Sequence, residues 1–277
     1  MATYITSDAH GHLRALDQAL EQAAPGADDI VYVLGDMIDR GPEPAGVINL
    51  VRSLPNVHVL MGNHERLMLN AIERGSQMDI FTWERNGGYT TSAQFDALPV
   101  AEYRAVIEWI RELPLSDAIE VGDRAYLLAH AGIEPRAFTC WLAGAGYTGE
   151  GGYADVPIDM LRQAMAAQDE EDLLWIREAF WGVPTGLVGP DGRGPVVIAG
   201  HTPSGLLFRY AANMCGTGCN KDGLGCMVEV GPTYDTGGVA DHLDIDCSAA
   251  AGAGVGRVGV MRLDDRRVWY GDIAERE

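Results

Sequence analysis

The stretch Ile30–Gly41, IVYVLGDMIDRG, decides the fold. It is a strand-like apolar run broken by a glycine, and the first residue beyond the break is Asp36. A helical pattern follows at once in PAGVINLVRSL (44–54). The same strand-then-helix order stands on both sides. TYITS (3–7) leads to LRALDQALEQAA (13–24), whose apolar residues recur at three- and four-residue spacing, and VHVLMG (57–62) leads to ERLMLNAIERG (65–75). This alternation predicts an α/β fold. Farther on, AEYRAVIEWIRELP (101–114) reads as an amphipathic helix ended by Pro114. DAIEVGDRAYLLAH (117–130) reads as a hairpin turning at Gly122-Asp123, and PIDMLRQAMAAQDEEDLLWIREAFWG (157–182) returns to a helical pattern. Two glycine-rich regions, near 144–153 and 213–238, interrupt the pattern. With no linker and no repeat in sight, one domain spanning 1–277 with two irregular insertions is the expectation.

Bulk composition narrows the function. The chain has 277 residues, 47% of them apolar, and a net charge of −20 from 40 acidic and 20 basic residues. That balance argues against nucleic acid or an anionic membrane as partner, because each needs a basic footprint. No apolar run approaches the roughly 20 residues that span a bilayer. MATYITSDAHG opens without a basic leader, so a cytoplasmic location is expected. Five cysteines are an odd count. Three of them, Cys215, Cys219 and Cys226, share one glycine-rich loop, read here as a loop with reduced thiols rather than a zinc site.

The informative pattern lies at the strand ends. TYITS delivers Asp8 and His10, IVYVLG delivers Asp36, and VHVLMG delivers Asn63 and His64. AYLLA ends at His130, and VVIAG (196–200) ends at His201. In α/β sheets the carboxyl edge is where ligands bind. One histidine at a strand end is ordinary; five strands that all end in oxygen or nitrogen donors describe a built site. Carboxylates mixed with imidazoles suit manganese, iron or zinc better than calcium. The donors outnumber the needs of one four-coordinate ion, so two divalent ions sharing a carboxylate, with Asp36 as the bridge, account for them.

SDAHG, GDMIDRG, GNHE, HAG and GHTP, in this order, resemble the motif series of the phosphoprotein phosphatase family of metallophosphoesterases. They span Ser7 to Pro203, about 70% of the chain. Ser7 stands where the family commonly has glycine. The resemblance implies a β-sandwich flanked by helices (α/β/β/α), closed by a strand hairpin that LDIDCS…GRVGVMRL resembles. It also implies one ion held by Asp8, His10 and Asp36, and a second held by Asp36, Asn63, His130 and His201. Two metals lower the pKa of a bridging water and clamp the phosphate for in-line attack. Arginine can hold the equatorial oxygens, and a positioned acid protonates the leaving oxygen. Arg40 is close enough to Asp36 to face the same cleft, with Gly41 permitting a tight turn. His64 hydrogen-bonded to Asp39 is the natural general acid. The resemblance assigns the same dyad and the same clamp, and through LLWIREAF (173–180) adds Arg177 as a second clamp. Taken alone, Asp39 and Arg40 would read as a surface ion pair and Arg177 as an exposed residue of an amphipathic helix. WERNGG (83–88) resembles a segment flanking the cleft, with Asn86 read as turn-forming. His12, His58 and His242 match no site logic.

The resulting expectation is a two-metal phosphoester hydrolase. DRG and GNHE look more like the serine/threonine protein phosphatase branch, so a phosphorylated protein or peptide is the favoured substrate. The alternative is a symmetrical bis(5'-nucleosyl)-tetraphosphatase acting on a nucleotide polyphosphate. A non-catalytic binding module is the remote alternative, and it would have lost a ligand, the dyad or Arg40. The two insertions follow His130 and His201 and are expected to set specificity.

Overall fold

The computed structural model describes residues 1–149, 152–211 and 213–275. They form two compact units, one of Met1–Pro114 together with the residues from Ser248 onward, the other of Leu115–Cys247.

The first unit is built on β1 (Thr3–Thr6), β2 (Ile30–Val33) and β3 (Val57–Val59), which run parallel. Interleaved with them are α1 (Leu13–Ala23), α2 (Pro44–Ser53) and α3 (Asn63–Arg74). α1 buries Ala15, Leu16, Ala19, Leu20 and Ala23, the three- and four-residue spacing that a helix needs to present one apolar face. α4 (Gln77–Trp83), α5 (Tyr89–Phe95) and α6 (Val100–Arg111) follow.

The second unit begins with the hairpin β4 (Ser116–Val121) and β5 (Arg124–Ala129), paired around the predicted Gly122-Asp123 turn. α7 (Pro135–Gly144), α8 (Ile158–Ala166), α9 (Glu170–Trp175) and α10 (Glu178–Trp181) come next, then β6 (Val196–Ala199), β7 (Val228–Val230) and β8 (His242–Asp244). The chain returns to the first unit with β9 (Arg257–Arg262) and β10 (Arg267–Asp272).

Each unit has one mixed five-stranded sheet, ordered β10-β9-β1-β2-β3 in the first and β4-β5-β6-β8-β7 in the second. Each contains three neighbouring parallel strands, β1, β2, β3 in the first and β5, β6, β8 in the second; the antiparallel hairpin β9–β10 extends the first from β1, and β4 and β7 flank the second as antiparallel edges. The α/β expectation is met. In the second unit, inward residues of β5 and β6 (Leu127, Ala129, Val197, Ala199) pack with Phe138, Leu161, Met165, Phe180 and Trp181 in one core.

The helical pattern of 157–182 is carried by three helices, with Ala167 and Ile176 ending α8 and α9. Two local expectations change. LDIDCS and GRVGVMRL are not partners in a hairpin. His242–Asp244 pairs in parallel with β6, whereas Arg257–Arg262 turns back on Arg267–Asp272 through LDDR. Residues 213–231 are not irregular. Met214 bridges Val230, the amide of Cys215 donates to Glu229 (2.8 Å), that of Cys226 to Gly218 (3.0 Å) and that of Asn220 to Leu224 (2.8 Å), all in one antiparallel register. This is a hairpin arm. At its tip Asn220 Oδ1 accepts the amides of Asp222 and Leu224, and Lys221, the chain's single lysine, is exposed. Side-chain capping by asparagine can organise a turn where apolar periodicity is absent. In the other insertion Gly144 closes α7, and Glu150 and Gly151 lie outside the described residues. Among the described residues no helix is long and apolar enough to cross a membrane.

Candidate active site

In the first unit the three parallel strands end on one edge, and the loops beyond them stay paired. The amide of Asp8 donates to Gly35 (3.2 Å), that of His10 to Asp36 (2.9 Å) and that of Gly11 to Met37 (2.9 Å). Asp8, His10, Asp36 and Asn63 are all buried. His10 Nε2 stands 3.9 Å from Asp8 Oδ1 and 3.6 Å from Asp36 Oδ2. The other ring nitrogen, Nδ1, faces the Ile38 carbonyl at 3.2 Å.

The backbone marks the same residues. Nine non-glycine residues have positive φ among those described, and six of them are Asp8 (51°), His10 (44°), Asp36 (51°), Asp39 (68°), Arg40 (69°) and His201 (65°). Left-handed backbone at such residues costs about 1–3 kcal/mol each and collects where function demands a side-chain direction. The left-handed turn is carried by Asp39 and Arg40, and Gly41 is required because a Cβ there would lie 2.2 Å from the His10 carbonyl oxygen.

Asp39 and Arg40 are not a surface ion pair. Asp39 is fully buried and its Oδ2 lies 2.7 Å from His64 Nδ1. Trp83 Nε1 donates to both its oxygens (3.1 and 3.0 Å), and Thr91 Oγ1 donates to Oδ1 (2.6 Å). Such a carboxylate survives burial because hydrogen bonds satisfy it. Arg40 Nη2 stands 3.3 Å from His64 Nε2, so Nε2 accepts and Nδ1 donates to Asp39. The amide of Arg40 donates to the Gly87 carbonyl (3.1 Å), and Gly87 holds φ 105° where α4 kinks into α5. WERNGG is therefore a helix kink that supports the dyad. Asn86 spends its amide on the Thr82 carbonyl (2.8 Å).

In the second unit β5 and β6 deliver His130 and His201, both buried, with ring centroids 5.0 Å apart. The Gly200 amide donates to the His130 carbonyl at 2.7 Å, and the Trp175 ring meets His201 edge-on at 5.9 Å. Arg177 is half-buried in the break between α9 and α10 (φ −135°, ψ −84°), not on an exposed helix face.

Sequence reasoning passed over several contributors. Glu65 is fully buried and accepts the amides of Asp36, Met37 and Gly62, each at 2.9 Å, so it stitches the β2 loop to the start of α3. Burial pushes its carboxyl above the usual range while the amides of Asp36 and Met37 pull it back. Trp83 and Thr91 were invisible because their partner lies 44 and 52 residues away. β8, the third parallel strand of its sheet, brings buried Asp244 and Asp246 to its end; the Asp246 amide donates to Asp244 Oδ1 (3.0 Å). Among the unassigned histidines, His58 stacks on Tyr32 (4.9 Å), whereas His12 and His242 are buried.

The first unit's residues fit a metal. Two buried carboxylates face an imidazole whose Nδ1 is committed to a carbonyl, which leaves Nε2 as the donor atom. Donors each about 2.1 Å from a common ion stand about 3–4 Å apart, and these separations match.

A calcineurin-like phosphoesterase family model matches residues 1–228. Curated relatives named symmetrical bis(5'-nucleosyl)-tetraphosphatase include proteins of Dechloromonas aromatica (30% identity) and Erwinia tasmaniensis (33%). Each match covers 138 residues, 49% of this chain and 45% or 46% of the relative. The chain thus spans about half the length of the curated relatives it matches. Two solved structures share the fold. One is provisionally assigned as a diadenosine tetraphosphatase (TM-score 0.58, 16% identity, 99% and 94% of the two chains), and the other is a serine/threonine phosphatase of Saccharomyces cerevisiae (0.54, 15%, 99% and 81%).

Proposed function

The chain belongs to the calcineurin-like phosphoesterase family, and we propose that it hydrolyses phosphoserine and phosphothreonine esters with two divalent metal ions. The observation that carries this reading is the Asp39–His64 dyad, 2.7 Å long and buried, with Arg40 on its far nitrogen and Asp8, His10 and Asp36 beside it. On this reading Asp8, His10 and Asp36 hold one ion, and Asp36, Asn63, His130 and His201 hold the other. Manganese, iron and zinc all suit the donor set. The bound ions supply a nucleophile at neutral pH and neutralise charge on the phosphoryl oxygens. The whole chain, 1–277, acts as one catalytic domain in the cytoplasm.

The protein's own residues have separable tasks. Asp39, fixed by Trp83 and Thr91, holds His64 by Nδ1 and so aims Nε2. Arg40 is exposed, and a phosphate oxygen is a stronger acceptor for its guanidinium than imidazole. Transfer of Arg40 to the substrate frees Nε2 to take up a proton from water, and the imidazolium then gives that proton to the leaving oxygen. Arg177 serves as the second phosphate clamp.

A second reading is symmetrical hydrolysis of a dinucleoside tetraphosphate, favoured by the names of the curated relatives over the 138 matched residues. Manganese-dependent phosphate release from a phosphoserine peptide and nucleotide release from diadenosine tetraphosphate, run side by side with Asp36→Asn as blank, separate the two. Peptide turnover lost in the variant supports the first reading. Nucleotide cleavage alone overturns it in favour of the second.

A further inference from the structure

The second unit contains a line of buried polar groups that the proposed chemistry does not use. It starts at the strained turn around His201. The Thr202 amide folds back onto the Gly200 carbonyl at 2.6 Å, with His201 left-handed between them. A non-glycine residue keeps such a conformation only where its surroundings over-determine it. Thr202 is fully buried, and its Oγ1 accepts the indole N–H of Trp181, itself buried, at 3.1 Å.

Trp181 is fixed in turn from behind. The ring of His242 lies 4.6 Å from that of Phe180 and 5.7 Å from that of Trp181, and its Nε2 faces the Phe180 carbonyl at 3.2 Å. Its Nδ1 stands 2.6 Å from Asp241 Oδ1. Asp241 Oδ2 accepts both the amide (2.8 Å) and the hydroxyl (3.0 Å) of Thr185, just beyond α10. Both members of this pair are at least 99% buried. A buried carboxylate and a buried imidazole cost desolvation that hydrogen bonds must offset. Through the Phe180 carbonyl and Thr185, His242 and Asp241 hold both ends of the segment 180–185, and that segment carries the indole that meets Thr202.

We propose that Trp181, acting through Thr202, is a positioning residue for His201, and that the Asp241–His242 pair keeps Trp181 in place. The proposal rests on the reading of His201 as a metal ligand. It places the control of this ligand in a hydrogen bond to the following residue's hydroxyl, made from the helix directly after Arg177.

The test is calorimetric titration of the full chain with manganese(II), comparing the parent with His201→Ala, Thr202→Val, Thr202→Ser and Trp181→Phe. His201→Ala identifies the binding step that depends on that imidazole. Thr202→Val removes the hydrogen bond while keeping volume, Trp181→Phe removes it with some loss of ring volume, and both are expected to weaken that step about 10- to 100-fold, as loss of a group supporting a ligand does. Thr202→Ser keeps the hydroxyl and binds like the parent, with far-ultraviolet circular dichroism unchanged throughout. Parent-like binding by Thr202→Val overturns the positioning role, as does a Thr202→Ser as weak as the valine. If Trp181→Phe does not fold, the Thr202 pair decides alone. Parent-like binding by His201→Ala defeats the metal reading of that residue instead, and the positioning role falls with it.

Discussion

The two units place their functional side chains by different means. In the first, polar groups hold polar groups at short range. Glu65 collects three backbone amides, Asp39 collects His64, Trp83 and Thr91, and five of the six left-handed site residues lie within motifs that also supply their neighbours. In the second, His130 and His201 leave two adjacent strands, the Trp175 ring lies edge-on to His201, Trp181 donates to the neighbouring Thr202, and Phe138, Phe180 and Leu161 share the core with those strands. A hydrogen-bonded site fails sharply when one acceptor is removed, because a buried donor is stranded. Where apolar packing makes the contact, as the Trp175 ring does at His201, the loss follows the volume removed.

Substitutions can break this contrast or sharpen it. The largest effect is expected for Asp36→Asn, whose carboxylate is assigned to both ions. Losing several kcal/mol of charge stabilisation corresponds to roughly a thousandfold fall in kcat/KM, measured with manganese on a phosphopeptide. His64→Asn should lower kcat by about 10²–10⁴ on a phosphoserine peptide. The fall should be much smaller on an aryl phosphate whose leaving group needs no proton; equal losses on both would refute the acid role.

Arg40→Lys keeps the charge but loses the planar fork, and a tenfold or greater rise in KM is expected with the metal stoichiometry unchanged. Glu65→Gln tests the hydrogen-bonded unit through stability. A neutral amide cannot accept all three backbone N–H groups as well, and stranding one costs about 1–3 kcal/mol, a lowering of Tm by several degrees. An unchanged Tm would mean that these amides do not depend on Glu65. The smallest effect is expected from replacing Gly218–Cys226, the outer part of the arm, with a two-residue Asn-Gly turn. A few-fold change in relative KM between peptide and nucleotide, with parent-like manganese binding, is the expected outcome. Identical kinetics on both substrates would remove the arm from substrate selection.

The sequence by itself determined the α/β class, the strands that end in donors and the residue types at those ends. These are local properties: strand and helix periods are written over a few residues, and a donor such as Asp36 stands three residues past its strand. It also made the Asp39–His64 pairing legible, from the acid that the chemistry requires and from the family that the five motifs resemble. Tertiary structure alone decided what holds those residues. Trp83 and Thr91 reach Asp39 across 44 and 52 positions, and Asp241 reaches Thr185 across 56. It also turned the glycine-rich stretch 213–231 into an in-register arm and placed the left-handed turn at Asp39 and Arg40. A hydrogen bond between distant residues leaves no periodic trace in a single chain. A strained φ is set by the sum of contacts around a residue rather than by its own side chain, so it becomes readable only once the chain has folded.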